Sequence, residues 1–359
     1  VETLLGKTIE ELQSVALSVG LPKFAGKQLA EWLYVRRVLS FDEMTNISLK
    51  GRDALKASYA IGRHAPVREA VSIDGTRKYL FEIKANSQEP IANSQFIESV
   101  YIPEEDRATL CVSTQAGCKM GCRFCMTGTL GFHGHLSAAE ILNQIFEIDA
   151  LAVADGRQPI TNIVYMGEGE PMDNIDHVLR SLEIMTASYG CAWSPKRITV
   201  STVGVPAMKR FLEESECHLA VSLHNPFSIE RAQIMPAEKM MPVSDVIALL
   251  RQYDWSHQRR VSFEYICWAG KNDSPRHAKE LLRLLRGLNC RVNLIRFHEG
   301  VEQVAKTQTD ERHFPGSNEK QMEWFRDYLS DNGLTTTIRK SRGEDILAAC
   351  GMLVNSLTT

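Results

Sequence analysis

From residue 108 the chain repeats one unit: a short β-type apolar run, a loop, then an amphipathic helix. β-type runs fall at 108–113, 162–166, 197–202, 218–223, 261–267, 292–297 and 335–339. Helical periodicity separates them. Ser137 and Glu140 form a capping-box pair ahead of Ile141, Leu142, Ile145 and Phe146. Ile175, Val178, Leu179, Leu182 and Met185 share one helical face, and further helices are expected through Met208 and Leu212 and over 243–253, 277–285 and 319–329. Strands joined by crossover helices must run parallel. The fold class expected is therefore α/β, an open or closed β/α barrel. In such a barrel the loops that follow the strands gather at one end and carry the chemistry.

Two other segments precede the repeat. Residues 1–60 read as a small helical domain, with Leu12, Val15 and Ala16, then Leu29, Trp32 and Leu33, at helical spacing. Eight Lys/Arg and seven Asp/Glu give it a mixed surface, that of a packing module or a substrate-docking module. Residues 61–107 read as a β-rich connector, with alternating runs at 78–83 and 97–102 around a polar turn at 86–93. The expected division is thus 1–60, 61–107 and 108–359.

Composition excludes several classes. With 44% apolar and 24% charged residues the chain is neither disordered nor fibrous, and no apolar run reaches membrane-spanning length. The first twenty residues lack a basic start followed by an apolar stretch, so no signal peptide is expected. A net charge of −3 argues against gripping duplex DNA by charge alone, but leaves room for a local basic groove. Nine cysteines in 359 residues are too sparse for a secreted disulfide scaffold. A reducing cytoplasm is expected, where clustered cysteines mean metal or catalysis.

The cluster is Cys118-Lys-Met-Gly-Cys122-Arg-Phe-Cys125, in the loop after the first barrel strand. A closed zinc site needs a fourth ligand, for which His133 or His135 stands near in sequence. An iron–sulfur cubane is normally saturated by four thiolates, so three leave one iron open to a cofactor. Position on a barrel loop favours the second reading.

The spacing Cys118-x3-Cys122-x2-Cys125 resembles the hallmark of radical S-adenosylmethionine (SAM) enzymes. Three further stretches narrow it: the run 108–113, Gly117-Cys118, and the end segment Arg342-Gly343-Glu344-Asp345-Ile346 with Ala348-Ala349-Cys350-Gly351. Together they resemble the RlmN/Cfr family of RNA adenine methyltransferases along essentially the whole chain. The resemblance implies a partial (β/α)6-type barrel and one 4Fe-4S cluster on Cys118, Cys122 and Cys125. It also implies two SAM molecules per turnover. The first methylates Cys350; the second yields a radical that removes hydrogen from that methyl group, and the resulting carbon radical adds to adenine. Cys111 then resolves the protein–RNA adduct as a Cys111–Cys350 disulfide, and Glu98 is the implied acceptor of the ring proton. From their residue types alone, Cys111 and Cys350 read equally as small buried hydrophobes and Glu98 as an exposed strand carboxylate.

The same resemblance places SAM against Gly169 and Glu170 of the turn 166–171, against Ser201, and against Ser222, Leu223, His224 and His298. The family carries Met where this chain has Glu168, which adds a carboxylate in a region expected to meet a sulfonium. The segment 299–317 departs from the family's usual loop. The implied substrates are an adenosine of 23S rRNA and the adenosine beside the anticodon of tRNAs, methylated at carbon 2. The alternative is carbon 8 of the same rRNA base. An electron donor such as flavodoxin, a monomeric state, no membrane association and a cytoplasmic location are also expected. Two other classes remain: an RNA-binding module with structural zinc, and a sulfur-inserting tRNA enzyme. The latter needs a second cluster, for which no further tight cysteine group exists.

Overall fold

The computed structural model of the protein describes residues 1–83, 95–255, 260–297 and 315–353. The N-terminal segment holds β1 (Glu2–Thr3), α1 (Ile9–Ser18), α2 (Ala25–Ala30), α3 (Leu49–Ser58) and β2 (Tyr59–Ala60). Thr8 and Glu11 cap α1 reciprocally, so two otherwise unpaired amides at its start are satisfied. The helix buries Leu12, Val15 and Ala16. α2 continues into a π turn, Glu31–Val35, that buries Trp32, Leu33 and Tyr34. β1 and β2 pair in parallel and bring both ends of the segment together. Ion pairs dock it on the barrel, Arg37 with Asp149 at 2.5 Å and Arg180 with Glu11 at 2.8 Å, and just past it Arg63 pairs with Glu147 at 2.7 Å.

The rest is built on one ten-stranded sheet. Its strands are β3 (Arg68–Val71), β4 (Arg77–Ile83), β5 (Gln95–Pro103), β6 (Ala108–Cys111), β9 (Asn162–Tyr165), β10 (Ile198–Thr202), β11 (His218–Ser222), β12 (Val261–Cys267), β13 (Cys290–Arg296) and β14 (Thr336–Ile338). The order across the sheet is β14-β13-β12-β11-β10-β9-β6-β5-β4-β3. Every neighbour from β6 to β14 is parallel, as the crossover helices require. These helices are α4 (Ala138–Ala154), α5 (Ile175–Thr186), α6 (Met208–Glu214), α7 (Ser228–Ile234), α8 (Val243–Leu250), α9 (Pro275–Leu285) and α10 (Glu319–Asp331). The expected Ser137–Glu140 capping box starts α4. α5 buries Val178, Leu182 and Met185 against the sheet, at roughly 1.5–3 kcal/mol for each side chain.

Six parallel strands, β6 and β9 to β13, form the expected half-barrel, and β14 adds a seventh at its edge. The connector is not a separate layer. β3, β4 and β5 run antiparallel and extend the same sheet beyond β6. Residues 107 and 108 lie where a tight turn, with the Glu104 amide on the Arg107 carbonyl, joins two paired strands. β3 and the small hairpin β7 (Gln115–Gly117) with β8 (Phe132–His135) escape a reading based on apolar alternation, being short and rich in Gly, His and charge. No described helix is long and apolar enough to cross a membrane.

Candidate active site

The cysteine loop hangs between β7 and β8, at the end of the barrel strands. Gly117 has φ +68°, and a Cβ there would stand 1.9 Å from the Gly131 carbonyl oxygen, so only glycine fits beside Cys118. The Cys118 amide donates to that carbonyl at 2.8 Å. The Cys125 amide donates to the Cys122 carbonyl and the Gly128 amide to that of Cys125, both at 3.1 Å, which turns the loop tightly on itself.

Burial pushes the Cys118 thiol up to about 12 and raises Cys122 and Cys125 as well; the thiols of Cys118 and Cys122 are raised further by their cysteine neighbours. Three adjacent thiolates are therefore stable here only against a strong positive charge, which a metal cluster brings. Among the described residues no three His, Cys, Asp or Glu side chains group as donors to a single ion. Donors to one zinc crowd within about 4 Å of each other. Three soft thiolate donors in one tight loop, leaving a fourth position open, suit an iron–sulfur cluster.

The C-terminal segment closes over this loop. The Met126 amide donates to the Gly351 carbonyl at 2.8 Å, and the Thr127 hydroxyl to the Leu353 carbonyl at 3.0 Å. Cys350 is thereby carried to the cysteine loop, and its thiol, raised by burial, senses Arg339, Glu264 and Cys125. Cys350 is exposed as a residue, while its sulfur lies against these loops. Cys111 ends β6 opposite Val100 and packs in a small apolar cluster with Val100, Ala348 and Leu353. Burial raises its thiol to about 12, Cys350 adds to the rise, and Arg339 opposes it in both cysteines. The two lone cysteines, 239 positions apart, thus share one environment, both as free thiols.

Glu98 is not an exposed strand carboxylate. It is fully buried on β5 and paired with Lys78 at 2.9 Å. Glu168 is fully buried beside it. Its carboxyl turns into the protein and accepts from the amides of Glu98 at 2.8 Å and Gly117 at 3.3 Å. Burial, with the Glu98 charge adding, pushes it to about 8. At neutral pH it holds a proton and contributes a structural tie rather than a negative charge. The folded value lies above the ordinary one of about 4.3, so this contribution is complete below pH ~4 and lost as pH rises through ~8. Cluster-free protein is expected to lose melting temperature across that window, and Glu168→Gln to flatten the loss. The slope that remains should end near pH 7, where Glu170 titrates. An unchanged slope in Glu168→Gln contradicts this assignment.

The other predicted positions line the barrel end. Gly169 has φ +96°, and a Cβ there would meet Gln115 at 2.5 Å. Glu170 is buried and accepts from the amides of Met172 at 3.0 Å and Val203 at 2.9 Å, which ties two strand-end loops. Ser201 and Ser222 are half-buried at the ends of β10 and β11. Leu223 is buried, and its amide donates to the Glu264 carbonyl at 3.0 Å. His224 sits at φ +55°, costly for a residue with a Cβ. Its Nδ1 accepts from the Ile266 amide at 3.1 Å. Burial, then Arg231, holds it neutral with a value of about 3, so its proton resides on Nε2. His298 and 299–314 lie outside the described residues.

Five charged residues that sequence reasoning missed organise this end. Buried Arg231 donates to the carbonyls of Ser222 at 2.9 Å, Leu223 at 3.0 Å and Val203 at 2.6 Å, and pairs with Glu238. Glu264 accepts from Asn293 at 2.8 Å and meets Arg339 at 3.4 Å. Lys78 holds Glu98. Nothing in the local sequence marks Lys78, Arg231, Glu238 and Glu264 as buried; only the assembled barrel does.

Residues 3–61 match the model of the ribosomal RNA large subunit methyltransferase N-terminal domain, and residues 112–285 that of the radical SAM superfamily. The "Probable dual-specificity RNA methyltransferase RlmN" of Bacteroides fragilis is 56% identical over 353 residues, covering 98% of this chain and 95% of that protein. This chain belongs to the RlmN family. The "Dual-specificity RNA methyltransferase RlmN" of Syntrophotalea carbinolica is 39% identical over 98% of the chain and 89% of its own length. The fold agrees: a radical SAM methyltransferase from Sphaerobacter thermophilus superposes with a TM-score of 0.86, at 36% identity over 98% of this chain and 99% of that one. The RlmN-type N-terminal match coincides with the helical segment bounded by β1 and β2.

Proposed function

We propose that this protein methylates carbon 2 of adenosine in 23S rRNA and tRNA, with Cys350 as the methyl carrier. The observation that carries the reading is the meeting of Cys350, Cys111 and the Cys118–Cys125 loop at one barrel end. Membership in a family whose members are named dual-specificity RNA methyltransferases supplies the substrate class.

Cys118, Cys122 and Cys125 hold a 4Fe-4S cluster, and Gly169, Glu170, Ser201, Ser222, Leu223, His224 and His298 bind SAM. Bound there, cluster and SAM would supply an electrophilic methyl group, a carbon radical that abstracts hydrogen, and an acceptor for the single electron that the adenine adduct gives up when it loses its ring proton. The chain's own residues do the rest. The Cys350 sulfur accepts the methyl group and carries its carbon to the adenine ring. Glu98 takes the ring proton. The Cys111 thiolate attacks the Cys350 sulfur and the sulfur–carbon bond breaks. The carbon leaves with that electron pair and gains a proton, and a Cys111–Cys350 disulfide remains. The base enters the barrel end unstacked, as base-modifying enzymes require. Residues 1–60 act as an accessory domain and 61–107 as the connector to the catalytic barrel, 108–359. The enzyme works as a cytoplasmic monomer with a flavodoxin-like electron donor.

The carrier role is tested without RNA. Protein incubated with methyl-labelled SAM is expected to hold label on Cys350, and Cys350→Ala to hold none. Label on another residue, or methylated RNA from Cys350→Ala, overturns the carrier role.

A further inference from the structure

Lys78 is fully buried on β4, where an ammonium persists only if its charge is met. In the β4–β5 register it faces Val100, so Glu98 lies diagonally on the same face and the two side chains pair at 2.9 Å. Among the described residues, Lys78 from β4 and Glu168 from the loop after β9 are charged or titratable groups that face Glu98.

The same ammonium donates to the Leu347 carbonyl at 3.4 Å. Leu347 has φ +53°, a left-handed turn three residues before Cys350. Other straps hold this segment to the β3–β4 turn. Asp345 accepts from the Ser72 hydroxyl at 2.5 Å and the Ile73 amide at 3.1 Å, and Asp74 accepts from the Gly343 amide at 2.9 Å. Of these straps, Lys78 is the one that also touches Glu98. Apolar side chains fill such a site as stably as an ion pair, so packing alone does not account for two buried charges here.

We propose that Lys78 is a positioning residue for the transfer step, its ammonium fixing a charged Glu98 carboxylate beside the segment that delivers Cys350. The inference rests on Glu98 taking the ring proton; in that step Glu98 gains the proton, the C–H electron pair stays in the ring, and the adduct's one surplus electron would return to the iron–sulfur cluster that had spent one on SAM.

The test uses the reconstituted holoenzyme with Cys350 already methylated, in a single turnover on RNA carrying hydrogen or deuterium at adenine carbon 2. Lys78→Met is expected to keep Cys350 methylation, to slow transfer on the order of 10- to 100-fold, and to show a deuterium effect larger than wild type. Lys78→Arg, which keeps the charge, should recover most of the rate and lose the extra isotope effect. Wild-type transfer by Lys78→Met, slowing without an isotope effect, or an arginine variant as slow as the methionine one each overturns the proposal. If Lys78→Met fails to take up methyl, Lys78→Gln replaces it, keeping a donor for Leu347 without the charge. If that variant also takes up no methyl while Lys78→Arg does, Lys78 is a folding residue and the proposal falls. Glu98→Gln runs in parallel: wild-type transfer by it removes the proton-acceptor reading itself, a result separable from every Lys78 outcome.

Discussion

Alanine at Cys118, Cys122 or Cys125 is expected to abolish both iron binding and SAM cleavage. The three thiols lie in one tight loop, and each is raised by burial away from its charged form. Their ligation is therefore bought by the cluster's positive charge, and losing one thiolate leaves two irons without a protein ligand. Reconstituted wild type should hold about four irons per chain and show broad absorption in the visible blue. Each variant should hold almost none and release 5′-deoxyadenosine only at background. Full activity in any one of them removes the radical SAM chemistry from this loop.

The second large effect separates the two lone cysteines. Cys111→Ala should still bind the cluster, methylate Cys350 and join it to adenine, because Cys111 takes part in none of those steps. Release should fail, since the carbon–sulfur bond breaks only when a thiolate attacks the Cys350 sulfur. A covalent protein–RNA species is expected to accumulate and to migrate slowly on a denaturing gel, with turnover stopping at one event or fewer per enzyme. Cys111→Ala/Cys350→Ala should form none. Normal turnover by Cys111→Ala, without the adduct, makes Cys111 a strand residue packed against Val100 and Ala348 and nothing more.

Legibility in the sequence followed how local each feature is. The parallel strands, the capped start of α4 and the buried face of α5 depend on near neighbours, and periodicity finds them. The cysteine loop is legible for the same reason, its spacing being held by hydrogen bonds inside the loop. The shared surroundings of Cys111 and Cys350 are legible only through resemblance, because the segment after Gly343 is placed by contacts with the β3–β4 turn, β4 and the cysteine loop. Lys78, Arg231, Glu238 and Glu264 give no signal at all. A charged residue in a short strand or helix reads as exposed, and its burial is set by partners far along the chain, as Lys78 is by Glu98 and Leu347. Glu168 is a related case. Its position in a glycine-rich turn pointed to a cofactor, while its carboxyl is consumed by two backbone amides of the fold.

The central claim is carbon-2 methylation of adenosine by this chain. It is tested most directly by mass spectrometry of nucleosides from 23S rRNA and tRNA, after treatment with reconstituted protein, SAM and a reductant. The account predicts 2-methyladenosine in both RNAs, and none when Cys350→Ala replaces the wild type. 8-Methyladenosine, or unmodified adenosine from an enzyme that cleaves SAM, contradicts it.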